Sequence, residues 1–93
     1  MEFSWDSRKS EANLALRGFD FAFATLIFDG PTLERADARE DYGEARIIAI
    51  GLAQGIPLTV VYTDRTAGGR RIVSARRSNR RERESYERVL QVR

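Results

Sequence analysis

Between residues 45 and 77 the chain runs through three β-rich stretches separated by two turn signals, and this restricts its fold more than any other feature. Residues 45–52 hold Ile47, Ile48 and Ile50; residues 58–63 read Leu-Thr-Val-Val-Tyr-Thr; residues 70–76 carry Ile72 and Val73. β-branched and aromatic side chains fit a pleated, half-buried surface. The connections are Gln54-Gly55-Ile56-Pro57 and Thr66-Ala67-Gly68-Gly69. Links this short join antiparallel neighbours, because a parallel crossover needs about a dozen residues or more. The spacing therefore predicts an antiparallel meander.

The remaining segments read mostly as helix. Residues 2–5 alternate polar and apolar and make a short first strand. Asp6 is an N-cap for a helix running to Arg17, with Gly18 at its C-terminal stop. Ala12, Ala15 and Leu16 form an apolar stripe on that helix, while Lys9, Asn13 and Arg17 share another face at i, i+4, i+8. Asp20 caps a second short helix over residues 21–28, apolar nearly all round, which Asp29-Gly30-Pro31 ends. Residues 32–38 alternate weakly as a strand, and residues 39–43 are a polar connection. Asn79 followed by Glu82 starts a C-terminal helix with Tyr86, Val89 and Leu90 on an apolar side. The order β-α-α-β-β-β-β-α predicts an α+β fold. Two N-terminal helices and a C-terminal helix flank the sheet, in a single domain over residues 1–93, since 93 residues leave no room for a second.

Composition then removes whole classes of chemistry. Cys and His are both absent, which excludes thiolate nucleophiles, Ser-His-Asp catalysis and Cys- or His-ligated metals. No cofactor is expected. A metalloenzyme reading is poor, because hard-metal sites need clustered carboxylates that no spacing here arranges. No apolar run approaches the roughly 20 residues of a membrane span. The acidic and aromatic start, Met1-Glu2-Phe3-Ser4-Trp5, lacks the pattern of a signal peptide, so the expected location is cytoplasmic.

Charge is segregated along the chain. Of 16 basic residues only Lys9 is not Arg; residues 1–64 carry 6 basic and 11 acidic groups, and residues 65–93 carry 10 Arg against 3 Glu. Arginine forks bidentately onto phosphate and stacks on bases, so the second half fits a nucleic-acid partner. Solvated surface charge with a codon-driven Arg bias explains the same numbers.

Strand periodicity arranges candidates for chemistry. Glu44 and Arg46 point the same way if their strand begins that early, and Tyr62 faces with Leu58 and Val60. Arg70, Ile72, Ser74 and Arg76 are expected on one face of the last strand, opposite Arg71, Val73, Ala75 and Arg77. Arg65 and Arg76 end neighbouring strands. RNA cleavage through its own 2′-OH needs cations around the phosphorane, a base and an acid, and no metal, Cys or His. Glu44 fits the base, Lys9 or Tyr62 proton transfer, and Arg46, Arg65 and Arg76 phosphate binding. Each has a plainer reading: a Glu44–Arg46 surface ion pair, a core Tyr62, solvated Arg70 and Arg71 beside Gly69. Gly68-Gly69 is a turn and not a phosphate loop, because no GxxxxGK[ST] pattern surrounds it.

The ordered motifs resemble the BrnT toxin family. They are Phe3-x-Trp5-Asp6-x-x-Lys9-x-x-x-Asn13, Gly18-x-Asp20-Phe21, Phe28-Asp29-x-Pro31, Asp37-x-Arg39-x-x-Tyr42-Gly43-Glu44-x-Arg46, Ile50-Gly51, Val60-Val61-Tyr62-Thr63-x-Arg65, Arg71-Ile72-x-Ser74-Ala75-Arg76 and Glu82-Arg83-x-x-Tyr86. The resemblance covers residues 2 to about 86. It implies a RelE-like compact antiparallel sheet flanked by helices, and a ribonuclease toxin that blocks translation. It implies a BrnA-type antitoxin with a ribbon-helix-helix domain, in a 2:2 assembly that reaches operator DNA only through the antitoxin. Carried over onto this sequence, the polar positions of the motif are Lys9, Glu44, Arg46, Tyr62, Arg65 and Arg76; the candidate catalytic set is Glu44, Lys9, Tyr62, Arg65 and Arg76. The RNA-binding set is Arg17, Arg46, Arg70, Arg71 and Arg77. One position pair departs: relatives usually carry Lys-His before the glycine that ends the first helix, and here Leu16-Arg17 stands there. Arginine is no proton acceptor at neutral pH but binds phosphate. The alternative reading is an inactive toxin, a module that binds antitoxin or nucleic acid without cutting.

Overall fold

The structure, a computed structural model, describes residues 1–90. Its elements are β1 (Phe3–Trp5), α1 (Ser7–Arg17), α2 (Phe21–Ala24) continued by a 3-10 turn (Thr25–Asp29), β2 (Leu33–Ala36), β3 (Ile47–Ala53), β4 (Ile56–Asp64), β5 (Arg70–Arg77) and α3 (Arg80–Leu90). They follow the α+β order read from the sequence. The strands form one five-stranded sheet in the order β1-β5-β4-β3-β2.

The β2-β3-β4-β5 pairings are all antiparallel, as the short turns require. Between β3 and β4 only Gln54 and Gly55 turn, with φ of 50° and 82°; two left-handed residues give the tight hairpin whose twist matches its strands. Ile56 and Pro57 already belong to β4. The expected all-antiparallel sheet is corrected at one edge, where β1 pairs parallel to β5, Phe3 opposite Arg70 and Trp5 opposite Ile72. No hairpin joins these distant segments, so no turn dictates their relative direction.

A bulge in β5 also changes which residues share a face. Val61 opposes Ser74 while Tyr62 opposes Ile72, leaving Val73 as the extra residue. The parity of β5 therefore switches midway. Arg70, Ile72, Ala75 and Arg77 lie opposite Asp64, Tyr62, Val60 and Leu58, and Arg71, Ser74 and Arg76 lie opposite Thr63, Val61 and Thr59. Strict alternation cannot bury both Ile72 and Ala75; the bulge does, leaving each 1% exposed.

The main core lies between the sheet and the α1–α2 layer. Phe19, Phe21, Ala24 and Ile27 pack there on Ala49, Leu58, Val60, Tyr62, Ile72 and Ala75. Each fully buried aliphatic among them stabilises the fold by about 1.5–3 kcal/mol. Gly51 lets the 3-10 turn sit directly on β3, since a Cβ there would meet Ile27 Cβ at 2.9 Å.

α1 docks in an unexpected way. Its cap is as read: Asp6 Oδ1 accepts from the Arg8 and Lys9 amides, and Gly18 closes the helix at φ 84°. Its buried residues, however, are Ser10 and Asn13, while Leu14 and Leu16 are exposed. Ser10 Oγ accepts from the Phe21 amide at 3.0 Å, and Asn13 Nδ2 donates to the Phe19 carbonyl at 2.9 Å. The helix is held by hydrogen bonds to the chain that follows it, and the apolar stripe Ala12-Ala15-Leu16 faces solvent. α3 covers part of the opposite sheet face. It rests on buried Tyr86, whose hydroxyl donates to the Pro31 carbonyl at 3.0 Å.

Candidate functional site

The ends of β3 and β4 frame an open groove of about 510 Å³. Glu44, Thr63, Asp64, Arg65 and Thr66 line it. Residues 37–46 reach the groove as an anchored loop. The Asp37 amide donates to the Arg46 carbonyl at 2.8 Å, and the Asp37 carboxylate, fully buried, takes a two-pronged bond from Arg39 at 2.8 Å each. That guanidinium holds the Asp37 carboxyl down at about 2, against the opposing effect of burial. Gly43, at φ 73°, turns the chain so that its amide donates to Asp41 Oδ1. Thr63 Oγ1 ties the loop to the sheet by donating to the Ala45 carbonyl at 2.7 Å.

Within this frame Glu44 accepts from Arg46 Nε at 3.1 Å, and the Arg46 guanidinium lies 3.9 Å over the Tyr42 ring. Arg65 has no carboxylate partner among the described residues. Its backbone is fixed at the start of the β4–β5 turn, the amide donating to the Gly69 carbonyl and the carbonyl accepting from Gly68. A positioned carboxylate and an unpaired guanidinium thus line one solvent-open groove.

Asp64 links this groove to a second cluster on the core side. Its carboxylate takes both prongs of Arg70, at 2.7 and 3.1 Å. Arg70 lies 3.8 Å above the Tyr62 ring and 4.8 Å above that of Phe28. Tyr62 donates its hydroxyl to Glu34 Oε1 at 2.7 Å, and Thr32 donates to Glu34 Oε2. Burial, followed by the carboxylate it bonds, pushes the Tyr62 phenol well above its ordinary value. Tyr62 is therefore protonated, packed and already donating.

Arg65 and Arg76 do not meet. Asp64 pairs with Arg70 and Thr59 with Arg76, so the two lie towards opposite ends of the β4–β5 ladder, roughly 20 Å apart along the strand. Successive antiparallel strands finish at opposite ends of their ladder, so ending neighbouring strands does not bring the two together. Arg76 is instead forked on Glu82, with both bonds at 2.8 Å. Glu82 also accepts from Thr59 Oγ1 at 3.0 Å and from the Asn79 amide at 2.9 Å, while Asn79 Oδ1 accepts from the Glu82 amide. The capping box read from the sequence is thereby bolted to the sheet. Arg76 above all holds the Glu82 carboxyl down at about 2.

Lys9, Asn13 and Arg17 line one side of a separate groove of about 280 Å³ between α1 and the bulge, Val73 and Ser74 forming the other. Their shared face follows from their helical spacing. Arg17 donates to Asn13 Oδ1 at 3.1 Å and to the Ala75 carbonyl at 2.9 Å, tying α1 to β5 beyond the end of β1. Arg71 lies opposite Thr63, and Arg77 lines a hollow with Leu14, Phe19 and Phe23. Glu44, Arg46, Tyr62, Arg65, Arg70 and Arg71 thus gather towards one end of the sheet, Arg76 and Arg77 stand at the other, and Lys9 and Arg17 lie along its β5 edge. Sequence reasoning missed Glu34 as the partner of Tyr62 and Glu82 as the partner of Arg76. Glu82 was signalled as a cap, but its pairing across the sheet required the register.

Among the described residues, no three His, Cys, Asp or Glu side chains are grouped to hold a metal ion, and no helix is long and apolar enough to cross a membrane. The fold and groove define a small α+β protein with a carboxylate and a guanidinium lining one solvent-open groove. Residues 5–82 match the family described as ribonuclease toxin, BrnT, of type II toxin–antitoxin systems. The chain belongs to the BrnT family of ribonuclease toxins, and an antitoxin partner follows from that membership. The 1.1 Å crystal structure of the Brucella abortus ribonuclease toxin BrnT aligns with a TM-score of 0.63 at 24% identity, over 86% of this chain and 99% of that one. At that identity the likeness establishes a shared fold. A search of curated proteins finds no match.

Proposed function

We propose that the chain is a metal-independent endoribonuclease that blocks translation by cutting RNA at the Glu44–Arg65 groove. The observation that carries this reading is the pairing, in one open groove, of a carboxylate oriented by Arg46 with a guanidinium that has no internal partner. In the reaction the ribose 2′-oxygen attacks the adjacent phosphorus and the bond to the 5′-oxygen breaks. Glu44 takes the 2′-OH proton, and a proton returns to the departing 5′-oxygen. Arg65 and Arg46 stabilise the phosphorane charge, which grows towards the transition state. Lys9 and Tyr62 are the remaining candidates for the returning proton. Lys9 lines a different groove and Tyr62 donates to Glu34, so both act only after RNA binding rearranges them. Arg70 and Arg71 extend the cationic surface at this end of the sheet, and Arg76, Arg77 and Arg17 at the rest of it.

The wider system follows the family resemblance: a RelE-like single domain over residues 1–93, cytoplasmic, neutralised by a BrnA-type ribbon-helix-helix antitoxin in a 2:2 assembly. The test is digestion of a defined RNA by the purified chain in EDTA, with analysis of the ends. Products ending in 2′,3′-cyclic phosphate at an undiminished rate are expected; loss of activity in EDTA, or 3′-hydroxyl ends, would overturn the mechanism. A second reading, binding without cleavage, is favoured by Arg17, which stands where relatives usually carry His and is bonded to the Ala75 carbonyl. RNA binding without products supports it.

A further inference from the structure

On the sheet face away from α1 and α2, α3 and β2 leave a groove of about 310 Å³ between them. Its floor is aliphatic: Leu33, Ile48 and Ile50. Four charged residues line it, and they divide sharply. Glu34 turns its carboxylate through to the core side of the sheet, where it takes the hydroxyls of Tyr62 and Thr32, and Glu82 takes the Arg76 fork, the Thr59 hydroxyl and the Asn79 amide. Both carboxylates are engaged inside the fold. Arg35 and Arg81 have no ion-pair partner among the described residues. The groove therefore presents an apolar floor between two uncompensated cations. Along α3, Arg81, Ser85 and Val89 follow at four-residue spacing on one face. Val89, one turn beyond Ser85, is 58% exposed.

We infer that this groove seats an acidic segment of the antitoxin, an apolar side chain resting on Leu33, Ile48 and Ile50 and flanking carboxylates meeting Arg35 and Arg81. The occupant is read from charge complementarity and from the floor. Two free guanidiniums call for anions, and aliphatic burial calls for an apolar anchor. Single-stranded RNA would want aromatic side chains on which bases stack, and this floor has none. β2 is the edge strand of the sheet, so an approaching chain meets no further strand there. The inference rests on family membership, which implies an antitoxin, and not on the assignment of Glu44 and Arg65.

The test is calorimetric titration of the purified cognate antitoxin into this chain, at low salt and without RNA. Arg35→Glu and Arg81→Glu are each expected to weaken binding roughly tenfold, and about a hundredfold together. Ser85→Trp, which fills the groove without altering charge, should weaken it by roughly tenfold as well. Arg8→Glu, a charge reversal on α1 across the sheet, should stay within about threefold, a long-range electrostatic effect alone. The same variants are assayed for RNA binding. Antitoxin affinity unchanged in both the double variant and Ser85→Trp would overturn the inference. So would a loss of RNA binding with antitoxin binding intact, which would make the groove an RNA face. A parent chain that binds antitoxin with the expected pattern yet cuts no RNA would sink the nuclease mechanism and support this docking site.

Discussion

Arg65 and Arg76 belong to the same Arg-rich half of the chain, and the fold treats them oppositely. Arg76 is clamped on Glu82 by two bonds of 2.8 Å, and through it α3 is fastened to the sheet. Arg65 stands at the rim of the groove it shares with Glu44, with no carboxylate partner among the described residues. Arg70 and Arg80 resemble Arg76, each paired with a carboxylate. A stretch that reads as uniformly basic is therefore divided between guanidiniums that hold the protein together and guanidiniums available to a ligand. Partner geometry makes the division, since the charge is the same in both.

The largest effect should separate the two arginines in catalysis. Glu44→Gln should lower cleavage by roughly 10²–10⁴-fold with RNA affinity nearly unchanged, because a base acts on the chemical step. Arg65→Lys keeps the charge and loses the fork, and should cost about 10²-fold in kcat. Arg76→Lys should leave the kcat of the folded chain within about threefold, because its fork serves α3. Single-turnover cleavage of one labelled RNA compares all three. Equal losses at Arg65 and Arg76 would erase the distinction between them.

Stability should show the reverse order. Glu82→Ala removes the acceptor of Arg76, of Thr59 and of the Asn79 amide, and should destabilise by about 2 kcal/mol. For a domain of this size that lowers Tm by roughly 8–16 °C. The same bridge makes stability acid-sensitive. The Glu82 carboxyl sits at about 2 in the folded chain against an ordinary value of about 4.5. The unfolded chain thus binds a proton that the folded one resists. The stabilisation is complete above the unfolded value and is lost as pH falls from there towards 2. Asp37, also held at about 2, adds to the same slope. Thermal melts of Glu82→Ala should be flatter in acid than those of the parent; parallel curves would remove the bridge from the account.

Salt dependence measures how many arginines reach RNA. Arg65 and Arg71 at one end of the β4–β5 ladder and Arg77 at the other are without ion-pair partners among the described residues. Three phosphate contacts give a log–log slope of roughly −2, close to twentyfold between 50 and 200 mM salt. If Arg70 and Arg76 left their carboxylates for phosphate, five contacts would steepen the slope to about −3.5. A slope near −3.5 would show that the internal pairs open when RNA binds.

What the sequence made legible was local. The caps at Asp6, Asp20 and Asn79, the glycine that ends α1, and the turn at Gln54-Gly55 each follow from chemistry within a few residues, and the structure has them. Tertiary arrangement overrode pattern elsewhere. The apolar stripe Ala12-Ala15-Leu16 is exposed, and Ser10 and Asn13 are buried because two backbone groups in the following turn needed partners. The bulge at Val73 is one residue in the pairing register and leaves no mark in a single strand's composition, so the expected faces of Ser74, Ala75, Arg76 and Arg77 are all exchanged. The pairs Arg76–Glu82 and Tyr62–Glu34 depend on which strands and helices lie side by side. In the candidate site, Glu44, Arg46 and Arg65 gather because a short loop and a strand end meet. Lys9 lies elsewhere because α1 packs at the β5 edge.

The smallest expected effect concerns Tyr62. Tyr62→Phe deletes the 2.7 Å bond to Glu34 and leaves the ring in place, edge-on to Phe28 at 5.4 Å and beneath Arg70. Glu34 keeps the Thr32 hydroxyl, so the carboxylate is not stranded. The loss should be about 1 kcal/mol, a Tm lower by roughly 4–8 °C, with cleavage unchanged within about twofold. Burial and Glu34 both hold the phenol proton in place, so Tyr62 is a weak acid where it stands. A cleavage loss of about 10²-fold, with binding intact, would mean that RNA breaks the Tyr62–Glu34 bond and recruits the hydroxyl to the departing oxygen. In that event the Tyr62–Arg70 cluster would join Arg65 on the working side of the division, leaving Arg76 as the structural pole.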